Sequence, residues 1–202
     1  MDITDMIKAV QKKLGVDADG KAGTETWGAI FAALVKPTIA GKPPEEAIDK
    51  VDDRSEGNIA TLLEEVRPMA RALVQKAAAN GIQIKVISAT RTFAEQDALF
   101  AKGRTAPGSV VTNARGGFSN HNFGLAFDVG VFEGKKYMPE SPKYAAVGAL
   151  GLELGLEWGG NWKTFADQPH FQLRPSWADD ITERAMLAEL RDRVAAGTPV
   201  FA

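Results

Sequence analysis

Ser119-Asn120-His121-Asn122-Phe123-Gly124-Leu125-Ala126-Phe127-Asp128 holds one of the two histidines in this 202-residue chain. The other lies in Asp167-Gln168-Pro169-His170-Phe171. A catalytic zinc takes three protein ligands, commonly His or carboxylate, and keeps one position open for water. His121, Asp128 and His170 would meet that need. The separation of His121 and Asp128 is too long for one helical face. It fits a loop running into a strand, with Gly124 letting the backbone turn between them, and His170 would come from a neighbouring strand. Spacing alone leaves a plainer reading open. A lone histidine is more often structural than a ligand, and this set is not one of the sharply diagnostic helical zinc motifs.

Outward from this stretch, Leu125 to Phe132 reads as the strand that carries Asp128, and His170-Phe171-Gln172-Leu173 as a short one. Upstream, Ile82 to Ser88 alternates and is β-branched, which predicts another strand. Ile59, Leu62, Leu63, Val66, Met69, Leu73, Val74 and Ala77 follow a helical period. Pro68 interrupts them, either as a kink or as the first turn of a second helix. Helices are also expected over Thr92 to Lys102, from Ser141-Pro142 to about Leu154, and over Asp179 to Ala195. Gly103 to Gly117 reads as a long loop. Helices and strands mix without regular βαβ repeats, so the fold class is α+β, a small mixed or antiparallel sheet flanked by helices.

The chain divides into a helical unit over 1–35, a linker over 36–54 and a main domain over 55–202. In the first unit Ile7, Val10 and Leu14 form an apolar stripe. A turn-rich loop from Gly15 to Gly23 follows, and Thr24 can cap a second helix carrying Trp27, Ile30, Phe31 and Leu34. Pro37, Pro43 and Pro44 stiffen the connection.

A formal charge of −2 and a pI near 5.8 provide no basic face for nucleic acid and no polybasic membrane patch. The chain has no cysteine, which excludes disulfides, thiolate ligands and a cysteine nucleophile. No apolar run approaches a membrane span, and Met1 to Lys13 is too charged for a signal peptide. The expectation is synthesis in the cytoplasm, with action on the cell wall only after release, for example by a holin-type route.

Ser119-x-His121-x2-Gly124-x-Ala126-x-Asp128, followed by His170, resembles the metal-binding signature of the D-alanyl-D-alanine carboxypeptidase and L-alanyl-D-glutamate peptidase superfamily. Ser88-Ala89-Thr90-Arg91-Thr92 with Glu95-Gln96 resembles its strand-to-helix segment bearing a functional Arg. Trp158-Gly159-Gly160-Asn161-Trp162-Lys163-x-Phe165-x-Asp167-x2-His170-Phe171 resembles its C-terminal block, although the family commonly has Asp where this chain has Asn161. The match spans roughly Ser55 to Phe201. It implies a zinc peptidase of Hedgehog/D,D-peptidase-like fold acting on bacterial peptidoglycan, without nucleic acid or membrane span and as a monomer.

The resemblance makes His121, Asp128 and His170 zinc ligands and Asp167 the general base, with a turn cap before Pro169 as the plainer role for Asp167 and Glu157 as the runner-up base. Arg91 would steady the oxyanion, unless it is a solvated arginine at a helix start. Substrate would meet Ser119, Gln96, Trp158 and Trp162, although an exposed helical Gln and core tryptophans are the simpler readings. Val10-Gln11-x2-Leu14-Gly15-Val16, then Asp19-Gly20-x2-Gly23-x2-Thr26, resembles a shortened peptidoglycan-binding repeat. Asp17-Ala18-Asp19-Gly20 lacks the spacing and distal Glu of a calcium loop. The insert between Arg91 and His121 looks most like the branch that cuts L-Ala–D-Glu. The alternatives are a D,D-carboxypeptidase removing terminal D-Ala and a non-catalytic wall-binding protein.

Overall fold

The computed structural model describes residues 2–23, 26 and 50–201. The expected helix of Trp27, Ile30, Phe31 and Leu34, and most of the expected linker, lie outside the described residues. The chain divides into two compact units, Met1–Gly41 and Lys42–Ala202.

In the first unit, helix α1 spans Ile3–Leu14, capped by the Asp2 side chain on the Asp5 N–H and ended by Gly15 at φ 72°. Gln11 is buried and organises the loop that follows. Its Nε2 donates to Asp19 Oδ1, the Lys21 carbonyl and Thr26 Oγ1, and its Oε1 accepts from the Gly20 N–H. Asp19 therefore serves as a loop brace. Its carboxyl is lowered first by the Lys21 N–H and then by Gln11.

The second unit opens with α2 (Asp53–Ile59), capped by Asp52. Ser55 is fully buried and its Oγ accepts from the Val86 N–H at 2.9 Å, while the cap Asp52 and the first helical residues Asp53 and Arg54 fall in the segment expected as linker. Helix α3 (Arg67–Ala79) carries Pro68 in its first turn, where a missing N–H breaks no intrahelical bond. The long apolar period is thus two helices. Strand β1 (Gln83–Ser88) leads into α4 (Phe93–Ala101), which starts with a complete Thr92/Glu95 capping box. After the long loop come β2 (Ala126–Glu133), β3 (Lys136–Met138), α5 (Lys143–Glu153), β4 (Glu157–Trp158), β5 (His170–Gln172) and α6 (Glu183–Ala196). Neither β3, returned by the turn at Gly134, nor the two-residue β4 was expected from the sequence.

The five strands form one antiparallel sheet in the order β1-β2-β5-β4, with β3 also on β2. Helices α2 and α3 pack on β1, and α5 packs on α3 and β4. Phe127, Val129 and Val131 share one face of β2 by its two-residue period and are fully buried in the core with Leu73, Tyr144 and Phe171. The alternate residues Ala126, Asp128 and Gly130 face the other way. Small neighbours leave Asp128 as the one functional side chain on that face of β2. The register sets it opposite Ser88 of β1 and opposite His170 of β5, so three strands deliver three polar residues in a row.

Candidate metal centre and active site

His121 sits in a single 3-10 turn, Asn120–Phe123, which ends at Gly124 with φ 68°. That left-handed residue lets the chain reverse into β2, and a Cβ there would press on Leu63. The His121 ring is only 3% exposed. Its Nδ1 lies 2.7 Å from the Ala89 carbonyl, which can only accept, so Nδ1 carries the proton and Nε2 offers a lone pair. For His170, 5% exposed, the assignment is reversed. Nε2 donates to Gln172 Oε1 at 2.9 Å and Nδ1 faces inward.

The inward atoms are His121 Nε2, His170 Nδ1 and Asp128 Oδ1, and each lies 3.3 Å from the other two. A tetrahedral ion with ligand bonds of about 2.0–2.1 Å needs donor atoms about 3.3–3.4 Å apart. Among the described residues this is the one cluster of His and carboxylate groups with that convergence. Its electrostatics also call for a cation. Burial alone would raise the Asp128 carboxyl, yet the two imidazoles beside it, His121 foremost, hold it well below the carboxylate range. Burial likewise works against a charged His170, and the neighbouring Asp128 carboxylate outweighs it, raising the imidazole pKa. The residues present fit a divalent metal of nitrogen and oxygen preference.

A shell of hydrogen bonds fixes these three groups. Arg91 donates from Nη2 to Asp128 Oδ2 at 2.9 Å, from Nη1 to Gln96 Oε1 at 2.9 Å, and from Nε to Ser88 Oγ at 3.3 Å. Behind His170, Gln172 Oε1 also accepts from Asn120 Nδ2, while Gln172 Nε2 donates to Glu157 Oε2. Arg174 bridges Glu157 and Glu183, and Asn120 Nδ2 donates to Glu183, which closes a ring of five side chains. In that ring Gln172 has its amide orientation dictated on both sides. The Glu157 carboxylate can only accept, so the Gln172 oxygen must face His170.

The cleft over this floor has a volume of about 1210 Å³ and is lined by Arg91, Ser119, Trp158, Trp162, Lys163 and Asp167 among others. Asp167 stands on its wall with no hydrogen bond to its carboxylate from any described residue. Partial desolvation in the cleft, then the negative charge of Asp128, raise its pKa. Trp162 is 40% exposed, its ring centroid 4.9 Å from that of His170. Trp158 serves both the wall and the core: Gly148 and Gly160 lie against its ring with no room for a Cβ, and its Nε1 donates to the Gln168 carbonyl.

The structure thus brings His121, Asp128, His170, Asp167, Arg91, Ser119, Trp158 and Trp162 to one cleft. It places Gln96 elsewhere. That side chain is fully buried behind Arg91, with its amide donating to Thr112 Oγ1 and the Ala114 carbonyl, so the expected substrate contact is corrected to a brace for Arg91 and the 112–114 loop. Glu157, the alternative base, has both oxygens engaged by Gln172 and Arg174. Sequence reading missed the ring itself. Gln172 was within reach, because residues two apart on a strand share a face, here with the candidate ligand His170. Glu183 and Arg174 gave no such signal.

Residues 112–173 match the family model described as D-alanyl-D-alanine carboxypeptidase. The peptidoglycan L-alanyl-D-glutamate endopeptidase CwlK of Bacillus subtilis is 37% identical over 123 residues, covering 55% of this chain and 72% of that enzyme. The L-alanyl-D-glutamate peptidase of Listeria phage A118 is 30% identical over 123 residues, 59% of this chain and 41% of the phage protein. The crystal structure of the Serratia marcescens L-Ala D-Glu endopeptidase ChiX, 25% identical, covers 65% of this chain and 94% of its own, with a TM-score of 0.49. On the extent of its likeness to the Bacillus enzyme, this chain belongs to the D-alanyl-D-alanine carboxypeptidase and L-alanyl-D-glutamate peptidase family of metallopeptidases.

Proposed function

We infer that this chain is a zinc peptidase that hydrolyses the stem peptide of bacterial peptidoglycan between L-Ala and D-Glu. The observation that carries the reading is the 3.3 Å triangle of His121 Nε2, Asp128 Oδ1 and His170 Nδ1 at the floor of a cleft whose wall bears Asp167. The names of the Bacillus and Listeria phage relatives support the choice of bond.

A zinc ion held by those three atoms would polarise the scissile carbonyl and provide a nucleophile at neutral pH. Asp167 takes the proton of the attacking water and delivers it to the leaving amine nitrogen. Its raised pKa brings it closer to the operating range of a general base. Arg91 holds the second Asp128 oxygen from the cleft lining, and the oxyanion contact expected from sequence stands as a second role proposed for it. Ser119 and Trp162 line the space for the peptide beside the ligands.

Mass spectrometry of digested peptidoglycan tests the reading. New amino-terminal D-Glu is expected. Release of terminal D-Ala would establish the carboxypeptidase alternative, and an unchanged polymer would leave only wall binding. The first unit is proposed to hold the enzyme on the wall, raising local substrate concentration. Removing it should lower activity on intact sacculi and spare small soluble peptides. No helix among the described residues is long and apolar enough to cross a membrane. Release by a holin-type route is the proposed path to the wall.

A further inference from the structure

Three cations line the cleft: Arg91, Arg174 and Lys163. Arg91 is engaged by Asp128, and Arg174 by Glu157 and Glu183. Lys163 is exposed and has no ion-pair partner among the described residues. It shares the cleft with four carboxylates, those of Asp128, Glu157, Asp167 and Glu183. With the other two cations held by carboxylates, Lys163 is the cationic side chain of the lining left to receive a carboxylate of the substrate.

The position of Lys163 says which substrate charge it can receive. The wall from Gly159 to His170 is one folded loop, closed by Asp167 N–H to the Gly159 carbonyl at 3.0 Å and His170 N–H to the Asp167 carbonyl at 3.2 Å. In this loop Lys163 follows Trp162, whose ring leans on His170, and precedes Asp167, and all three line the cleft. Asp167 is the group that protonates the leaving nitrogen in the function proposed above, and the present inference rests on that reading. A residue that stands beside the leaving nitrogen is therefore in reach of the same loop. In an L-Ala–D-Glu bond whose glutamate continues through its side-chain carboxyl, the leaving nitrogen sits on a carbon that also bears a free carboxylate. That carboxylate is two bonds from the nitrogen Asp167 serves, and an ammonium on a four-carbon stem can follow it.

We propose that Lys163 forms a carboxylate subsite on the leaving-group side of the cleft, reading the free α-carboxylate of the residue whose amide nitrogen departs. The subsite selects substrates in which that carboxylate is ionised and disfavours those in which it is an amide, because the amide offers no charge to the ammonium.

Two synthetic peptides test this, L-Ala-γ-D-Glu-L-Lys and its twin with the α-carboxylate as a primary amide, cut by the full-length metal-loaded protein. The wild type should favour the free acid in kcat/KM by about tenfold, the scale of one charge-assisted contact in a partly solvated cleft. Lys163→Met should lower kcat/KM on the free acid by about the same factor, leave the amide twin within twofold and keep the metal content unchanged. Lys163→Arg should preserve the preference. Equal losses on both peptides, or no loss on either, would overturn the subsite. A wild type that leaves both L-Ala–D-Glu bonds intact, or cuts elsewhere, would remove the bond assignment and the subsite with it. That outcome is visible before any variant is made.

Discussion

The floor and the wall of the cleft are built on opposite plans. On the floor, His121 and His170 are almost shut off from solvent and Asp128 is only partly open to it, and every polar atom not turned inward is tied to a partner: Ala89, Arg91 or Gln172. Their placement follows from strand register, which is a discrete quantity: a slip by one residue would turn Asp128 into the core. On the wall, Asp167 carries a carboxylate with no hydrogen bond among the described residues, Lys163 is free, and Phe165 is 81% exposed. A metal needs its ligands fixed before it arrives. A base and substrate contacts must shift with the proton and the peptide. The contrast separates holding an ion from performing a reaction, and variants on the two sides should fail differently.

The largest effects belong to the floor. His121→Ala, Asp128→Ala and His170→Ala should each lose the metal, and chelation of the wild type should abolish hydrolysis. Elemental analysis beside a peptide assay checks both. Full activity in metal-free protein would remove the metal reading altogether. On the wall, Asp167→Ala should retain metal while turnover falls by about a hundredfold to ten-thousandfold. The pH profile sharpens this. Asp167 must be ionised to accept a proton, and its pKa lies above the ordinary aspartate value. Activity should therefore fall as pH drops through that raised pKa, and the variant should lose this limb. If Asp167→Ala keeps wild-type turnover, the wall holds no base.

Between the two lies the supporting shell. Gln172→Leu removes the acceptor that fixes the His170 proton on Nε2, and Arg91→Ala frees Asp128 Oδ2. Each should weaken metal affinity by about ten- to a hundredfold in competition with a chromogenic chelator, and turnover should recover at saturating metal. A drop in turnover at saturation for Arg91→Ala alone would support its role at the oxyanion.

The same division governs what could be read from sequence. The major helices and strands of the second unit were legible because period is a local property, and the meeting of His121, Asp128 and His170 in one cleft with Asp167 followed from the family resemblance rather than from spacing. The interruption at Pro68 and the turn at Gly124 followed from single-residue chemistry, whereas the Thr92 capping box was not read from the sequence. Gln96 misled because helix surface position says nothing about a loop laid over it: residues 112–114 bury its amide. The Gln172 ring joins segments about fifty to sixty residues apart, and Arg174 and Glu183 look like ordinary surface charges until the sheet and α6 meet. β4, at two residues, is too short for any period to appear.

The smallest effect, and the sharpest contrast with the floor, concerns Phe165. It is the one non-glycine residue at positive φ among the described residues, at 56°, and its side chain is 81% exposed. A left-handed conformation costs a β-carbon-bearing residue about 1–2 kcal/mol. Little burial is present to offset that cost. Phe165→Gly would relieve the strain, while the added freedom of glycine in the unfolded chain takes back about 0.4–1 kcal/mol. The variant should therefore be as stable as the wild type or up to about 1 kcal/mol more stable by chemical denaturation. If the wall keeps this strained aromatic for substrate, KM on peptidoglycan should rise in the same variant, with metal content unchanged. A stability gain with unchanged KM would make the strain incidental to binding. A loss of stability would mean that Phe165 has packing the exposed ring does not reveal, and the wall would then be as firmly built as the floor.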